Sequence, residues 1–158
     1  MTSTPANPPF IDDYLAYLLA QASHLISHEF HEVARRAGVS VLQWRVLATL
    51  VDGAPRSVGE VAVITLTPQS TLTRVADRMG EQGLLVRVTG STDRRITRLQ
   101  ITSEGKKLAQ RLVKQARQHE AAVLAPLGSA EATVLKRALH QLIALHAAKV
   151  IDNSTINL

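Results

Sequence analysis

The 158-residue chain contains no Cys, which excludes disulfides, thiol redox sensing and Cys-ligated zinc and leaves a hydrophobic core to hold the fold. It also lacks a long apolar run. The longest uninterrupted stretches are about seven residues, Tyr14 to Ala20 among them, far short of the ~20 that a bilayer-spanning helix needs. Met1 to Pro9 has no Lys, no Arg and no apolar segment, so it reads as a short disordered lead-in rather than a secretory signal, and a cytoplasmic location is expected. A Gly-rich phosphate loop and a His-Glu-x-x-His zinc motif are missing too. The acidic residues are scattered or stand at helix starts, where capping and the helix dipole account for them, so no enzyme is expected. What is present, 46% apolar and 20% charged residues, suits a folded domain rather than a disordered chain.

Basic residues are segregated. Residues 1–34 hold Asp12, Asp13, Glu29 and Glu32 and no Lys or Arg, so the net charge of +5 rests on a remainder carrying +9. So basic a remainder suits a polyanion, although charge alone separates nucleic acid from anionic lipid poorly.

From Phe10 to about Arg36 apolar residues recur every three or four positions, which predicts one long amphipathic helix ended by Gly38. Ser40 with Gln43, and Ser57 with Glu60, have the form of capping boxes. They open a helix that stops at Asp52-Gly53-Ala54-Pro55 and a short helix over 57–64. Thr67-Pro68 marks a third start, with Thr67 as the cap and Pro68 at the first helical position. In this third helix, which runs to Gln82, Leu72, Val75, Ala76 and Met79 form one buried stripe opposite Ser70, Thr73, Arg74, Asp77 and Glu81. After Gly83, two β-rich pieces, 84–89 and 96–101, flank a basic tip. Thr102 or Ser103 starts a long helix to about Leu124, Pro126 and Gly128 break it, and a last helix runs from Ala130 to about Val150.

Two short helices joined by a tight turn and followed at once by a hairpin spell a winged helix-turn-helix. The fold class expected is therefore mainly α with a small β-hairpin wing. In such a module the second helix enters the major groove with its N-terminal residues at the base edges. Gln69, Ser70, Thr71, Thr73 and Arg74 are the candidate readers, with Arg78 farther along the helix. Arg94 and Arg95 stand where a wing tip reaches an adjacent minor groove. Asp93 is assigned the task of holding the tip in shape, through backbone N–H groups or Arg95. Lys106 and Lys107 read either as further phosphate contacts or as solvated charges.

Gln43-Trp44-Arg45-Val46-Leu47, Ser57-Val58-Gly59-Glu60-Val61-Ala62, Thr71 to Met79, Gly83 to Arg87, Asp93-Arg94-Arg95 and Leu99 to Gly105 together resemble the MarR family of bacterial transcriptional regulators. The likeness covers roughly 10–150. It places the family's Asp-x-Arg wing pattern on Asp93 and Arg95 and its recognition helix on Pro68 to Gln82. The resemblance implies a homodimer that binds pseudo-palindromic double-stranded DNA operators, most often as a repressor, and often releases them on binding a small aromatic or phenolic acid.

The first and last helices hold more apolar residues than a small winged module can cover, which favours pairing with a second copy. The expected layout is a lead-in (1–9), dimerisation helices (10–38 and 125–150), the winged DNA-binding domain (40–104), a connecting helix (102–124) and a tail (151–158). For an effector, His24, His28 and His31 share one face of the first helix with Tyr17, Gln21 and Arg35. That spacing suits donors to a carboxylate or a divalent metal, whereas His residues without Cys more often line a solvated or interface surface. Trp44 reads first as core, and Arg45 as partner to an acid or anchor for an anion. The candidate effector set is His24, His28, Trp44 and Arg45, with no metal and no cofactor assigned. Two alternatives stay open: a metal- or partner-responsive regulator without an organic effector, and a helical module that docks to protein.

Overall fold

The amphipathic stretch at the start of the chain folds in two pieces rather than one. In the computed structural model, which describes residues 9–89 and 97–156, Phe10–Asp13 form a single 3-10 turn. Tyr14 is extended (φ −78°, ψ 114°) and α1 begins only at Leu15, running Leu15–Arg36. Periodicity could not show this break, because the Phe10 and Tyr14 rings stack at 5.2 Å across it and keep the helical spacing. The expected lead-in lies outside the described residues except Pro9.

Both capping boxes form. For α2 (Val41–Leu50), Ser40 Oγ accepts from the Gln43 N–H at 3.2 Å and Gln43 Oε1 accepts from the Ser40 N–H at 2.8 Å. For α3 (Val58–Ile64) the Ser57 N–H donates to Glu60 at 2.6 Å, which is the main cause holding the Glu60 carboxyl below its ordinary pKa. α4 (Gln69–Glu81) starts one residue later than expected. Pro68 is its N-cap, and the Thr67 hydroxyl donates to the Thr65 carbonyl at 3.1 Å instead of capping the helix.

The expected hairpin is part of a three-stranded antiparallel sheet of β1 (Arg56–Ser57), β2 (Leu85–Thr89) and β3 (Thr97–Ile101), in the order β1-β3-β2. Strands β2 and β3 pair from Leu85 with Ile101 to Thr89 with Thr97. β1 adds to the other edge, Arg56 facing Leu99. Two residues are too short to display an alternating pattern, so sequence periodicity carries no trace of this strand.

The chain divides into two compact units, 1–117 and 118–158. In the first, Val46, Leu47 and Leu50 of α2, Val61 of α3, Leu72, Ala76 and Met79 of α4, and Leu85 and Leu99 of the sheet form one core with Ala109 and Leu112 of α5 (Ser103–Leu124). Thr102 caps α5, accepting from the Gly105 N–H at 3.0 Å while its hydroxyl donates to the Gly83 carbonyl at 2.7 Å. A Cβ at Gly105 would collide with the Leu84 carbonyl, so only glycine lets α5 close onto the start of the wing. In the second unit Ala125–Leu127 make a 3-10 turn and α6 (Ser129–Ile156) follows, with Lys136 paired to Glu120 at 2.7 Å. α6 continues past Val150 into residues expected as tail, since 129–156 contain neither Gly nor Pro. Among the described residues, no helix is long and apolar enough to cross a membrane.

Candidate nucleic-acid interface

The turn between α3 and α4 is shaped by Leu66, whose backbone is left-handed (φ 53°) although its side chain is 88% exposed. Behind it the Thr65 side chain is buried, its hydroxyl donating to the Val61 carbonyl at 2.8 Å. With Leu72, Ala76 and Met79 inside the core, the helical repeat turns Ser70, Arg74 and Arg78 outward in one row, a turn or about 6 Å apart.

The structure sorts the candidate readers. Ser70, Arg74 and Arg78 are exposed, and among the described residues neither arginine has an ion-pair partner. Thr71 and Thr73 are half-buried, and the Thr73 hydroxyl donates back to the Gln69 carbonyl at 2.9 Å, leaving it only as an acceptor. Gln69 is exposed, but its side chain lies against α3, with Oε1 3.6 Å from where a Cβ on Gly59 would stand. Asp93, Arg94 and Arg95 lie outside the described residues. The flanking pair Thr89 and Thr97 sets where the wing tip begins.

Ion pairs hold the helix-turn-helix to the sheet. Arg87 of β2 donates to Asp77 of α4 through Nη2 at 2.6 Å and Nε at 3.3 Å, across a cleft of about 220 Å³ floored by Ala76, Leu85 and Leu99. Arg98 of β3 donates to the Pro55 carbonyl at 3.3 Å and lies 3.9 Å from Glu60. Arg56 of β1 pairs with Asp52 at 2.9 Å; the Asp52 carboxyl is held below its ordinary pKa chiefly by the Ala54 N–H. The Asp77–Arg87 link, ten residues apart, escapes sequence reading because no local period spans a helix, a turn and a strand. An acid between Arg74 and Arg78 on the outward side of α4 was the one signal available.

On α1, His24 and His28 are exposed with ring centroids 6.4 Å apart, and a cavity of about 280 Å³ beside them is lined by Tyr17, Ala20, Gln21, His24 and Leu25. The Gln21 amide donates to the Tyr17 hydroxyl at 2.6 Å. His31 is half-buried; desolvation, then repulsion from Arg45, His28 and His24, lowers its pKa below the ordinary value. Arg45 is exposed and close enough to His31 for its charge to be felt there, while Trp44 packs on Phe30 with centroids 5.2 Å apart. Arg35 leaves the stripe to pair with Glu32. Among the described residues, no three His, Cys, Asp or Glu side chains are grouped to hold a metal ion.

A model of the MarR family matches residues 37–96. The HTH-type transcriptional regulator PecS of Dickeya dadantii is 32% identical over 124 residues, 77% of this chain and 75% of its own length. The homoprotocatechuate degradative operon repressor of Escherichia coli is 25% identical over 140 residues, 89% of this chain and 95% of its own. In three dimensions, the crystal structure of a MarR family transcriptional regulator from Silicibacter pomeroyi superposes with a TM-score of 0.78 at 38% identity, covering 87% of this chain and 98% of that one.

Proposed function

The chain belongs to the MarR family of transcriptional regulators, and from that premise we propose that it is a homodimeric repressor of a catabolic, efflux or stress operon, released from a pseudo-palindromic operator by a small aromatic or phenolic acid. The observation that carries the reading is the outward row Ser70, Arg74 and Arg78 on a helix clamped to the wing strand by Asp77 and Arg87. A helix so held meets base edges with Arg74, whose guanidinium suits guanine O6/N7, while Arg78 and the helix N-terminus engage phosphates. Gln69 reaches adenine only by swinging off α3. Arg94 and Arg95 extend the contact into the neighbouring minor groove, with Asp93 shaping the tip.

Dimerisation is supported by apolar surface left uncovered on both terminal helices. Leu15, Leu18, Leu25 and Ile26 of α1 are exposed, as are Val134, Leu135, Ile143 and Leu145 of α6, and a second copy offers the same surfaces for mutual burial. Two copies then read half-sites about one helical turn, ~34 Å, apart. His24, His28 and Arg45 supply donors for a carboxylate, and Trp44 an aromatic wall. The E. coli relative, named as repressor of a homoprotocatechuate degradative operon, supports an aromatic effector. A ligand that prefers a dimer with mis-spaced recognition helices draws the population away from DNA.

The test is binding of purified protein to its own promoter over a salt series, repeated with a panel of aromatic acids. Dimeric protein, a steep salt slope and release by at least one acid are expected. A monomer, or failure to bind any promoter fragment at low salt, would remove the reading. Release by divalent metal alone would replace the organic effector with the metal-responsive alternative.

A further inference from the structure

From Gly105 to Arg117, α5 carries Lys106, Lys107, Arg111, Lys114 and Arg117 and no acid. At about 100° per residue these five cations fall within an arc of about 140°, opposite the buried Gly105, Ala109 and Leu112. Lys106 is half-buried beside Gly53 and the other four are exposed. Lys107 has Glu104 at 3.6 Å, both side chains about three-quarters exposed (75% and 73%). Arg111, Lys114 and Arg117 have no ion-pair partner among the described residues. Arg36 of α1 adds another exposed cation across a cleft of about 290 Å³ that it lines with Arg111. Like charges at these i, i+3 and i, i+4 spacings repel along the helix, and a polyanion relieves that repulsion.

We propose that this face of α5 is a second, sequence-independent contact for duplex DNA, separate from the one made by α4 and the wing; the proposal rests on the DNA-binding function above. The stripe is about 16 Å long at 1.5 Å per residue, a length over which a duplex presents roughly ten phosphate charges. Its composition points to phosphates rather than to an acidic protein. The stripe has no aromatic residue, and no large hydrophobic side chain is exposed on it, whereas stable protein interfaces are anchored by such groups. Spaced cations with a neutral hydrogen-bonder such as Gln110 between them are what backbone tracking requires.

The experiment uses the full chain with K107Q, K114Q and R117Q combined, all at exposed positions, against two duplexes. One is the operator trimmed to its footprint and the other is the same operator with long random flanks. On the extended duplex the slope of log affinity against log salt is expected to become shallower by about 3 per protomer, at roughly 0.9 per lost phosphate contact, while the trimmed operator binds as before. K136Q, which removes a charge from α6, serves as control and leaves both slopes unchanged. An unaltered slope on the extended duplex overturns the proposal, and so does an equal loss on the trimmed one. Displacement of the flanks by polyglutamate at equal charge assigns the face to acidic protein and also overturns it. Failure of the unmodified protein to bind even the trimmed operator would instead remove the DNA-binding reading itself.

Discussion

Replacing Asp77 by Asn sets two physical effects against each other with opposite signs. The substitution removes the charge that pairs with Arg87, held at 2.6 Å with the two side chains 41% and 53% exposed, and leaves a neutral amide oxygen as a weaker acceptor. An ion pair that open to solvent contributes about 0.2–1 kcal/mol, so the melting temperature should fall by only about 1–3 °C for a chain of this size. DNA affinity is the informative quantity. Asp77 is an acid on the outward side of α4, and removing a negative charge from a DNA-facing surface should by Coulomb attraction tighten binding and steepen its salt dependence. If instead the pair fixes the wing strand relative to the recognition helix, D77N leaves that geometry to be ordered on binding, at a cost of about 0.5–1.5 kcal/mol. Affinity then falls roughly 2- to 12-fold. We expect the fall. Fluorescence anisotropy with a labelled operator at several salt concentrations measures both quantities, and the exchanged pair D77R with R87D should recover part of the loss. Tighter binding by D77N would refute the positioning argument and leave Asp77 as an acid whose field merely opposes DNA.

Four further outcomes follow from the same structure. Arg74→Ala should weaken operator binding by about 1–3 kcal/mol and relax base preference at one position; an equal loss on random duplex would make Arg74 a phosphate contact. Leu66→Gly loses no packing, because Leu66 is 88% exposed, and removes a left-handed leucine costing about 1–2 kcal/mol against the ~0.5–1 kcal/mol entropic penalty of glycine. Urea unfolding should therefore show it unchanged or slightly more stable, and a loss above about 1 kcal/mol would contradict the assigned φ. Ser57→Ala, by removing the acceptor for the Glu60 N–H, should cost about 1 kcal/mol, read from the shift of the urea midpoint at constant m. For His31 the folded pKa lies below 6.5, so the unfolded chain takes up the proton first as pH falls. Stability should drop as pH falls through about 6.5 and level off below the folded pKa. His31→Gln should flatten that part of the profile, and an unaltered profile between pH 7 and 5 would clear His31 of the effect.

Legibility in the sequence follows the range of the interaction concerned. Ser40 with Gln43 and Ser57 with Glu60 are bonds between residues three apart, so their spelling predicts their geometry, and both boxes close as read. The buried stripe of α4 is equally local, since the helical repeat alone determines which side chains stand behind one another. The assignment of Thr67 as a cap failed because its hydroxyl found the Thr65 carbonyl, a competitor created by the turn at Leu66. The continuous first helix failed because a stacked Phe10 and Tyr14 preserve the spacing while the backbone at Tyr14 is extended. Gln69 has the residue type for a base reader, yet its side chain rests against Gly59 of the preceding helix, a neighbour set by how the two helices cross.

The capping-box starts of α2 and α3, the polar row on α4, the order of helices before a wing, and the run of cations on α5 were determined by the chain's own spelling, because each depends on neighbours within one or two turns. The addition of Arg56 and Ser57 as a third strand, the clamp of Asp77 on Arg87, the bond from Arg98 to Pro55 and the packing of Trp44 on Phe30 were decided only by the tertiary structure. Each of those brings together groups that no period along the chain relates. Their meeting is a consequence of one core closing behind them.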